Sequence, residues 1–290
     1  MTAHDLRHLF LLAAIWGSSF LFMHLAVSDF GTWPLMLIRT GAAAAALWCV
    51  IAWQKKWHTL RPFWRSIAIV GIINAAIPFT LYAYATQHLP TGTIVVINAM
   101  TPLFGALLSR LFLKEALSLS RLVGLCIGVI GIVLLVYKSL FFASQNQSLA
   151  VLASVAATLS YGVAATFSTK YLRHADPIAV ATGSLSSATL CVLPFALWYW
   201  PTTPISLEAW GSALSLALLC TAIAYIIFYQ LVASIGGARS VTVTFLVPPF
   251  GIIWGVLLLG ENFGLNEFIS TSLVLLGTLL ATGFLTLRPK

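Results

Sequence analysis

The sequence predicts an all-α integral membrane protein with ten transmembrane helices arranged as two inverted five-helix repeats. Three observations carry this prediction: the composition, ten apolar segments of membrane-spanning length, and an internal repeat. Of the 290 residues, 60% are hydrophobic and 8% are charged, whereas soluble domains have roughly 45–50% apolar and about 25% charged residues. So few charges cannot cover a soluble surface. The composition therefore excludes a cytoplasmic enzyme, a DNA-binding protein and a secreted domain.

Ten apolar segments follow one another along the chain, separated by short polar breaks. A helix needs about 20 apolar residues to cross a bilayer, and backbone polar groups in lipid must be paired within the segment. We therefore expect each segment to be a helix. Residues 127–136 lack the polar–apolar alternation of a transmembrane β-strand. The expected spans are 7–27, 33–53, 66–86, 91–112, 121–138, 149–169, 177–199, 210–232, 239–259 and 267–287.

The positively charged residues indicate how the spans are oriented. If the N-terminus is cytoplasmic, 13 of the 14 Lys and Arg residues outside the spans lie at the cytoplasmic face, and only Lys138 lies at the other. Such a bias is typical of cytoplasmic loops. We therefore expect a multi-pass protein of a bacterial cytoplasmic (inner) membrane with both termini in the cytoplasm. The net charge of +8 is spread over short loops, so the expected partner is the lipid bilayer and not nucleic acid.

An internal repeat relates the two halves of the chain. Each copy holds five spans, and because five is odd the second copy enters the membrane from the opposite face. We expect the first repeat to cover residues 1–145 and the second to cover residues 146–290. Inverted repeats are typical of secondary transporters, whose site lies near the midplane between the halves. A shift of 146 places Pro102 on Pro248, Glu115 on Glu261, Gly131 on Gly277 and Tyr82 on Phe228, and a shift of 145 places Trp16 on Tyr161.

Several motifs resemble those of the EamA family, within the drug/metabolite transporter superfamily, and the resemblance covers essentially the whole chain. One departure is His24, which stands where the family often carries Lys, so a role of that Lys is not transferred. The motifs are Trp16-Gly17-Ser18-Ser19-Phe20 in span 1, Pro34 followed by Arg39 in span 2, and the paired segment endings from Pro102 to Glu115 and from Pro248 to Glu261.

The resemblance implies a permease for amino acids or other metabolites, of a family in which many members are exporters. We therefore expect a secondary transporter that moves small metabolites across the membrane by alternating access, as a monomer and without a cofactor. The alternative is a polytopic membrane enzyme or a flippase acting on lipid-linked substrates. Such an enzyme would need His, Asp or Glu clustered near one interface, but the six histidines are scattered. We expect no enzymatic activity and no metal site.

Two prolines lie deep in their spans at equivalent positions of the repeat. Pro102 lies about 11 residues into span 4, roughly 16 Å deep at the helical rise of 1.5 Å per residue. Pro248 lies at a comparable depth in span 9. Each proline removes an intrahelical hydrogen bond and frees a carbonyl, and matched broken helices mark transport sites. We therefore predict that Pro102 and Pro248 are hinges, with a simple packing kink as the alternative.

Seven polar or aromatic side chains at depth are the candidate substrate-binding residues. Aromatic walls with amide groups suit a small amphipathic organic solute. The alternative is that each residue holds helices together, at about 0.6–2 kcal/mol per hydrogen bond. The set consists of Trp16, Asn74, Tyr82, Asn98, Tyr161, Tyr225 and Gln230.

Charged groups within the spans are few. We expect Arg39 to reach outward or pair with Asp29, with a role as the anchor of an anionic substrate as the alternative. His24 is expected to be an interfacial, satisfied histidine, and Glu115 and Glu261 to orient the turns after spans 4 and 9. No Asp or Glu lies at mid-depth, although carboxylates are the usual proton relays of transporters. This favours facilitated export down a gradient, with coupling through another group as the alternative.

Overall fold

A computed structural model describes residues 2–113, 118–142, 144–236 and 240–285. In these ranges the regular structure is helical, and no strand is present. Glu115, which is expected to orient the turn after span 4, lies outside the described residues. So do four of the basic residues used to assign the orientation: Lys114, Arg239, Arg288 and Lys290.

Ten helical spans make up the described part of the chain, as the sequence predicts. Nine are long and apolar enough to cross a membrane, and the tenth, span 9, is an apolar helix of 17 residues. Odd-numbered spans begin at the face where span 1 begins, which we name the N-terminal face. In order, the spans are Ala3–Phe30, Thr32–Trp53, Trp57–Ala85, Thr91–Phe112, Leu119–Phe141, Gln145–Tyr171, Pro177–Trp198, Leu207–Ile235, Val243–Leu259 and Leu265–Thr282.

Spans of one half pack against spans of the other in matched pairs. Span 1 packs on span 9 and span 6 packs on span 4, which are the same pairing with the halves exchanged. Glycines allow both close approaches. A Cβ on Gly17 would lie 2.8 Å from the backbone nitrogen of Gly251, and one on Gly162 would lie 2.9 Å from the Cβ of Phe104. The inverted repeat therefore recurs in the packing of the backbone.

Two further pairs bring each span against its own counterpart in the repeat. Span 2 packs on span 7, and span 5 packs on span 10. In the second pair, a Cβ on Gly124 would lie 2.5 Å from the carbonyl oxygen of Gly277. The small residues of span 5 are therefore buried inside the protein as helix-packing positions, in agreement with the general use of such residues in membranes.

Spans 3 and 8 each contain a π-helical turn, which the sequence did not predict. The turns cover Ile72–Ala76 and Leu218–Ile223 and begin at equivalent positions of the repeat. A π turn inserts an extra residue and displaces the backbone hydrogen bonds of the helix. Side chains complete the bonding nearby: Ser160 donates to the carbonyl of Ile73, and Thr221 donates to the carbonyl of Leu216 over 2.9 Å.

The two proline-containing spans differ from each other. Span 4 is broken, because one helix ends at Asn98 and the next begins at Thr101, so that Pro102 is its second residue. This agrees with the predicted break. In span 9 a single helix, Val243–Leu259, runs through Pro248. The helix is therefore not interrupted at Pro248, since proline can kink a helix without ending it, and the hinge role of both prolines stays a prediction.

Candidate functional site

The break in span 4 is linked to spans 3 and 6 by hydrogen bonds. Tyr82 donates from its hydroxyl to Oδ1 of Asn98 over 3.0 Å, and its oxygen lies 2.8 Å from the hydroxyl of Thr158. Thr101 donates to the carbonyl of Asn98 over 2.8 Å. Tyr82 is 2% exposed, so this hydroxyl depends on its protein partners. The bonds fix the amide of Asn98 at the point where the helix ends.

Two aromatic pairs are related by the repeat, and one of them includes Tyr82. The ring centroids of Tyr82 and Tyr161 lie 6.1 Å apart, and those of Trp16 and Phe228 lie 5.4 Å apart. Phe228 also contacts Tyr229, whose ring stacks on that of Tyr225. Aromatic rings supply a large contact area with few rotamers to immobilise. Each pair therefore joins the two halves through an aromatic contact.

Arg39 lies between the two aromatic groups. It is 6% exposed, its Nε donates to the hydroxyl of Thr221 over 3.3 Å, and its guanidinium carbon lies 3.6 Å from the ring centroid of Phe79. The guanidinium is within electrostatic range of Tyr161 and Tyr225. We name the residues from Asn98 through Arg39 to Trp16 the central cluster; its members are Asn98, Tyr82, Thr158, Tyr161, Arg39, Phe79, Thr221, Tyr225, Tyr229, Phe228 and Trp16.

The expectation for the partner of Arg39 is wrong. Arg39 does not reach outward or pair with Asp29, because it is buried and bonded to Thr221. Asp29 instead accepts a hydrogen bond from the backbone amide of Ser206 over 2.9 Å. The π turn in span 8 explains the difference, since it carries Thr221 and thereby supplies the buried guanidinium with an acceptor.

The structure brings five of the seven candidate binding residues into the central cluster. Asn74 and Gln230 are the two that it does not. Asn74 lies in the π turn of span 3 with a half-buried side chain, and Gln230 is exposed. No hydrogen bond or ring contact joins either residue to the cluster within the described ranges. The five are Trp16, Tyr82, Asn98, Tyr161 and Tyr225.

Five cluster residues were not selected from the sequence: Phe79, Thr158, Thr221, Phe228 and Tyr229. Phe228 was detectable, because the repeat aligns it with Tyr82. Thr158 and Thr221 are polar residues within spans, but threonine in a helix commonly bonds its own backbone. Thr158 does so too, donating to the carbonyl of Ser154 over 2.7 Å. Only the tertiary contacts distinguish these threonines from ordinary helical ones.

Two polar side chains at the face opposite the N-terminal face, His24 and Asp29, have local hydrogen-bond partners. His24 bonds through Nδ1 to the carbonyl of Thr86 over 3.0 Å, as expected of an interfacial histidine. His24 and Asp29 also line an open concavity of about 540 Å³, together with Ser206 and Glu208. In the described ranges no three His, Cys, Asp or Glu side chains lie together as a metal site.

Glu261 has a different role from the expected one. It does not orient the turn that follows span 9. Its carboxylate accepts hydrogen bonds from the backbone amides of Thr91 over 2.6 Å and Gly92 over 3.0 Å. These amides are at the start of span 4, where a helix leaves its first N–H groups unpaired and favours negative charge. Glu261 therefore ties the second half to the helix that carries Asn98.

Similar proteins are transporters. The chain is 22% identical over 271 residues to "Uncharacterized transporter YoaV" of Bacillus subtilis (strain 168), covering 92% of this chain and 93% of the relative. It is 24% identical to "Uncharacterized inner membrane transporter YedA" of Escherichia coli (strain K12), covering 94% and 89%. It is 26% identical to the "Probable terminal-alkyne amino-acid exporter" of Streptantibioticus cattleyicolor, covering 87% and 84%.

The fold and the family agree with these relatives. A solved crystal structure of a protein aligns over 97% of this chain and 98% of its own with a TM-score of 0.67 and 17% identity, a likeness that concerns the fold alone. The model of the EamA-like transporter family matches this chain twice, over residues 8–137 and 148–283. The chain is thus a multi-pass membrane protein that belongs to the EamA-like transporter family.

Proposed function

We propose that this protein is a secondary transporter that exports small metabolites such as amino acids by alternating access. The observation that carries the proposal is the central cluster, to which both halves contribute and which includes Asn98 at the break in span 4. Substrate sites between inverted repeats lie at broken helices near the midplane. Trp16 is halfway along span 1, so an aromatic wall of the cluster is at that depth.

Amino acids are the substrate class that the cluster fits best. Its rings provide apolar contact area, the amide of Asn98 provides polar groups, and the buried cation of Arg39 can bind a carboxylate. The relative named as an amino-acid exporter supports the same class. Export is supported by the absence of Asp and Glu from the central cluster, because a carrier that runs down a gradient needs no proton relay.

The proposal also covers the orientation of the protein in the membrane and the arrangement of its two halves. The N-terminal face is the cytoplasmic face of a bacterial inner membrane, since it carries the excess of Lys and Arg. The protein acts as a monomer, with its halves meeting at residues 145 and 146. During alternating access the contact of span 1 with span 9 and the contact of span 6 with span 4 open in turn. These two contacts are equivalent in the repeat, so each half supplies one of them.

Counterflow in proteoliposomes tests the proposal. Purified protein is reconstituted with a high internal concentration of unlabelled amino acid, and uptake of the labelled amino acid is followed. We expect transient accumulation for one or more amino acids, and a strong reduction in Tyr82→Phe, which removes the hydroxyl held by Asn98. Protein-free vesicles are the control. If no amino acid gives counterflow with folded protein, the proposed substrate class is wrong.

A further inference from the structure

Arg39 is a buried cation that has no carboxylate partner among the residues that the structure describes. Only its Nε–H has an acceptor in the described part of the chain, the hydroxyl of Thr221. The four N–H groups at the end of the guanidinium make no hydrogen bond there. Burying a charge without a full set of partners costs free energy. The four N–H groups of Arg39 therefore need hydrogen-bond acceptors that a bound ligand can supply.

The described carboxylates do not supply them, because each is bonded or placed elsewhere. None lies within hydrogen-bonding distance of Arg39. Asp5 accepts from Ser234, Asp29 from Ser206, Asp176 from Lys56, Glu261 from Thr91 and Gly92, and Glu267 from the amide of Gly264, while Glu208 lines the concavity at the opposite face.

The orientation of the guanidinium is fixed by two neighbours. The single hydroxyl proton of Thr221 goes to the carbonyl of Leu216, so a lone pair of its oxygen remains for Nε of Arg39. The ring of Phe79 covers one face of the guanidinium at 3.6 Å, a cation–π contact. With Nε held and one face covered, the free edge carries two parallel N–H groups. Such an edge matches the two oxygens of a carboxylate.

We propose that the substrate is a monocarboxylate whose carboxylate pairs with Arg39, and that an amino group on the substrate is dispensable. This inference rests on the proposed transport function and narrows its substrate class. A phosphate carries about −1.5 to −2 charges at neutral pH and would need further cations. The other described Lys and Arg residues lie in loops or near span ends.

The remainder of the cluster explains why the amino group contributes little. A substrate ammonium would find no carboxylate in the cluster, and the positive charge of Arg39 repels it. Oδ1 of Asn98 is already bonded to Tyr82. The apolar part of the substrate instead contacts the rings of Trp16 and Phe228. Recognition therefore depends on the carboxylate at Arg39 and on apolar area, and Thr221 and Phe79 are positioning residues for the guanidinium.

The test compares matched compounds that carry or lack each group. The probes are L-leucine, 4-methylpentanoate and 3-methylbutylamine, and L-phenylalanine, 3-phenylpropanoate and 2-phenylethylamine. A ligand that binds the folded state raises its unfolding temperature, so purified protein in detergent is melted with each compound. We expect the amino acid and the acid without the amine to have half-saturating concentrations within about threefold of each other. We expect the amine alone to give no shift.

Variants separate the roles of the residues. Arg39→Gln should abolish the carboxylate-dependent shift while still melting cooperatively, and Arg39→Met should melt at or above the wild-type temperature without ligand, because the unpaired charge is gone. Thr221→Val should raise the half-saturating carboxylate concentration about tenfold without changing the maximal counterflow rate. Thr169→Val is the matched control, since exposed Thr169 also bonds a helical carbonyl, that of Ala165, and should change nothing.

The outcomes distinguish this inference from the proposed function. If amino acids and amines bind while acids without an amine do not, or if Arg39→Gln binds carboxylates normally, transport of amino acids stands and the inference is wrong. If the acids bind and amino acids do not, the inference stands and amino-acid export is wrong. If no compound binds folded wild-type protein, both are wrong. Equal effects of Thr221→Val and Thr169→Val would overturn the positioning role.

Discussion

The rings of Trp16 and Phe228 lie 5.4 Å apart, and the repeat maps this pair onto Tyr161 and Tyr82, at 6.1 Å. Each pair joins a span of one half to a span of the other. The same side-chain contact is thus made twice, by different aromatic residues. A two-fold arrangement with unequal side chains gives the two sides of a site different chemistry: the Tyr82 side carries a bonded hydroxyl, whereas the Trp16 side presents an apolar ring.

Replacing Trp16 should therefore affect transport far more than replacing a tryptophan at a span end. Trp16→Ala removes the half-buried ring against Phe228 and should lower counterflow at least tenfold. Trp200→Ala is the matched control, because Trp200 is 39% exposed and packs edge-on against Phe30. Its flux should remain within twofold of wild type. Equal losses in the two variants would place the site elsewhere, with the surroundings of Arg39 as the next region to test.

The prolines of spans 4 and 9 should differ in their effects. Pro102→Ala allows the helix that begins at Thr101 to extend across the break, which straightens span 4. We expect flux to fall severalfold while the protein stays folded. Pro248→Ala changes a helix that is already continuous, so its loss of flux should be smaller. Counterflow by both variants at matched protein amounts provides the measurement, and normal flux in Pro102→Ala would reduce this proline to a packing element.

Glycine at the crossing of spans 1 and 9 should be required for stability. In Gly17→Ala the new Cβ would lie 2.8 Å from the backbone nitrogen of Gly251, so the helices must separate, at a cost of about 1–3 kcal/mol. Gly211→Ala is the control, because no atom lies within 4 Å of the position of its Cβ. Alanine in a helix is favoured over glycine by up to about 1 kcal/mol. Unfolding temperatures in detergent should fall for the first variant and not for the second.

The loop contact between Lys56 and Asp176 should make stability depend on pH. Burial acts to raise the pKa of the Asp176 carboxyl, but the hydrogen bond from Lys56 and those from the amides of Ala179 and Ile178 outweigh it and hold the pKa below the ordinary 3.8. A carboxyl with a lowered pKa stabilises the folded state above its unfolded pKa, and this stabilisation disappears as the pH falls through the folded pKa.

Asp176→Asn should accordingly lower the unfolding temperature at about pH 7 and should match wild type once the pH is below the pKa of Asp176 in the folded protein. The effect is small, because contacts of partly exposed ion pairs are screened by solvent. Lys56→Met should behave like Asp176→Asn at neutral pH, whereas Lys55→Met should not, since exposed Lys55 has no ion pair in the described chain. A difference that persists at low pH would assign the effect to side-chain geometry and not to charge.

The orientation of the protein is tested by reporter fusions. A reporter active only in the periplasm should be inactive when fused after Lys290 and active when inserted near Glu208. The expectation follows from the 13 of 14 Lys and Arg residues assigned to the cytoplasmic face. Reporter activity at Lys290 would show that the assigned orientation is wrong.

The sequence was sufficient for the ten spans and the repeat because both depend on chain-local properties. An apolar segment in lipid has to be helical wherever its neighbours are, and the repeat is visible by shifting the chain against itself. Five of the seven candidate binding residues lie in the central cluster, because the depth of a residue in the membrane can be counted from the helical rise. Asn74 and Gln230 were selected by the same count, but depth does not say which side of a helix faces the cluster.

By itself the sequence determined a ten-helix membrane protein of the EamA-like transporter family, with two inverted halves and an aromatic site expected between them. Only the tertiary structure decided the partners of Arg39 and Glu261 and the position of the π turns. A π turn rotates every later side chain of its span around the helix axis, and no residue pattern marked where spans 3 and 8 take one. Thr221 lies in such a turn, so its hydrogen bond with Arg39 depends on helix geometry that composition and periodicity do not encode.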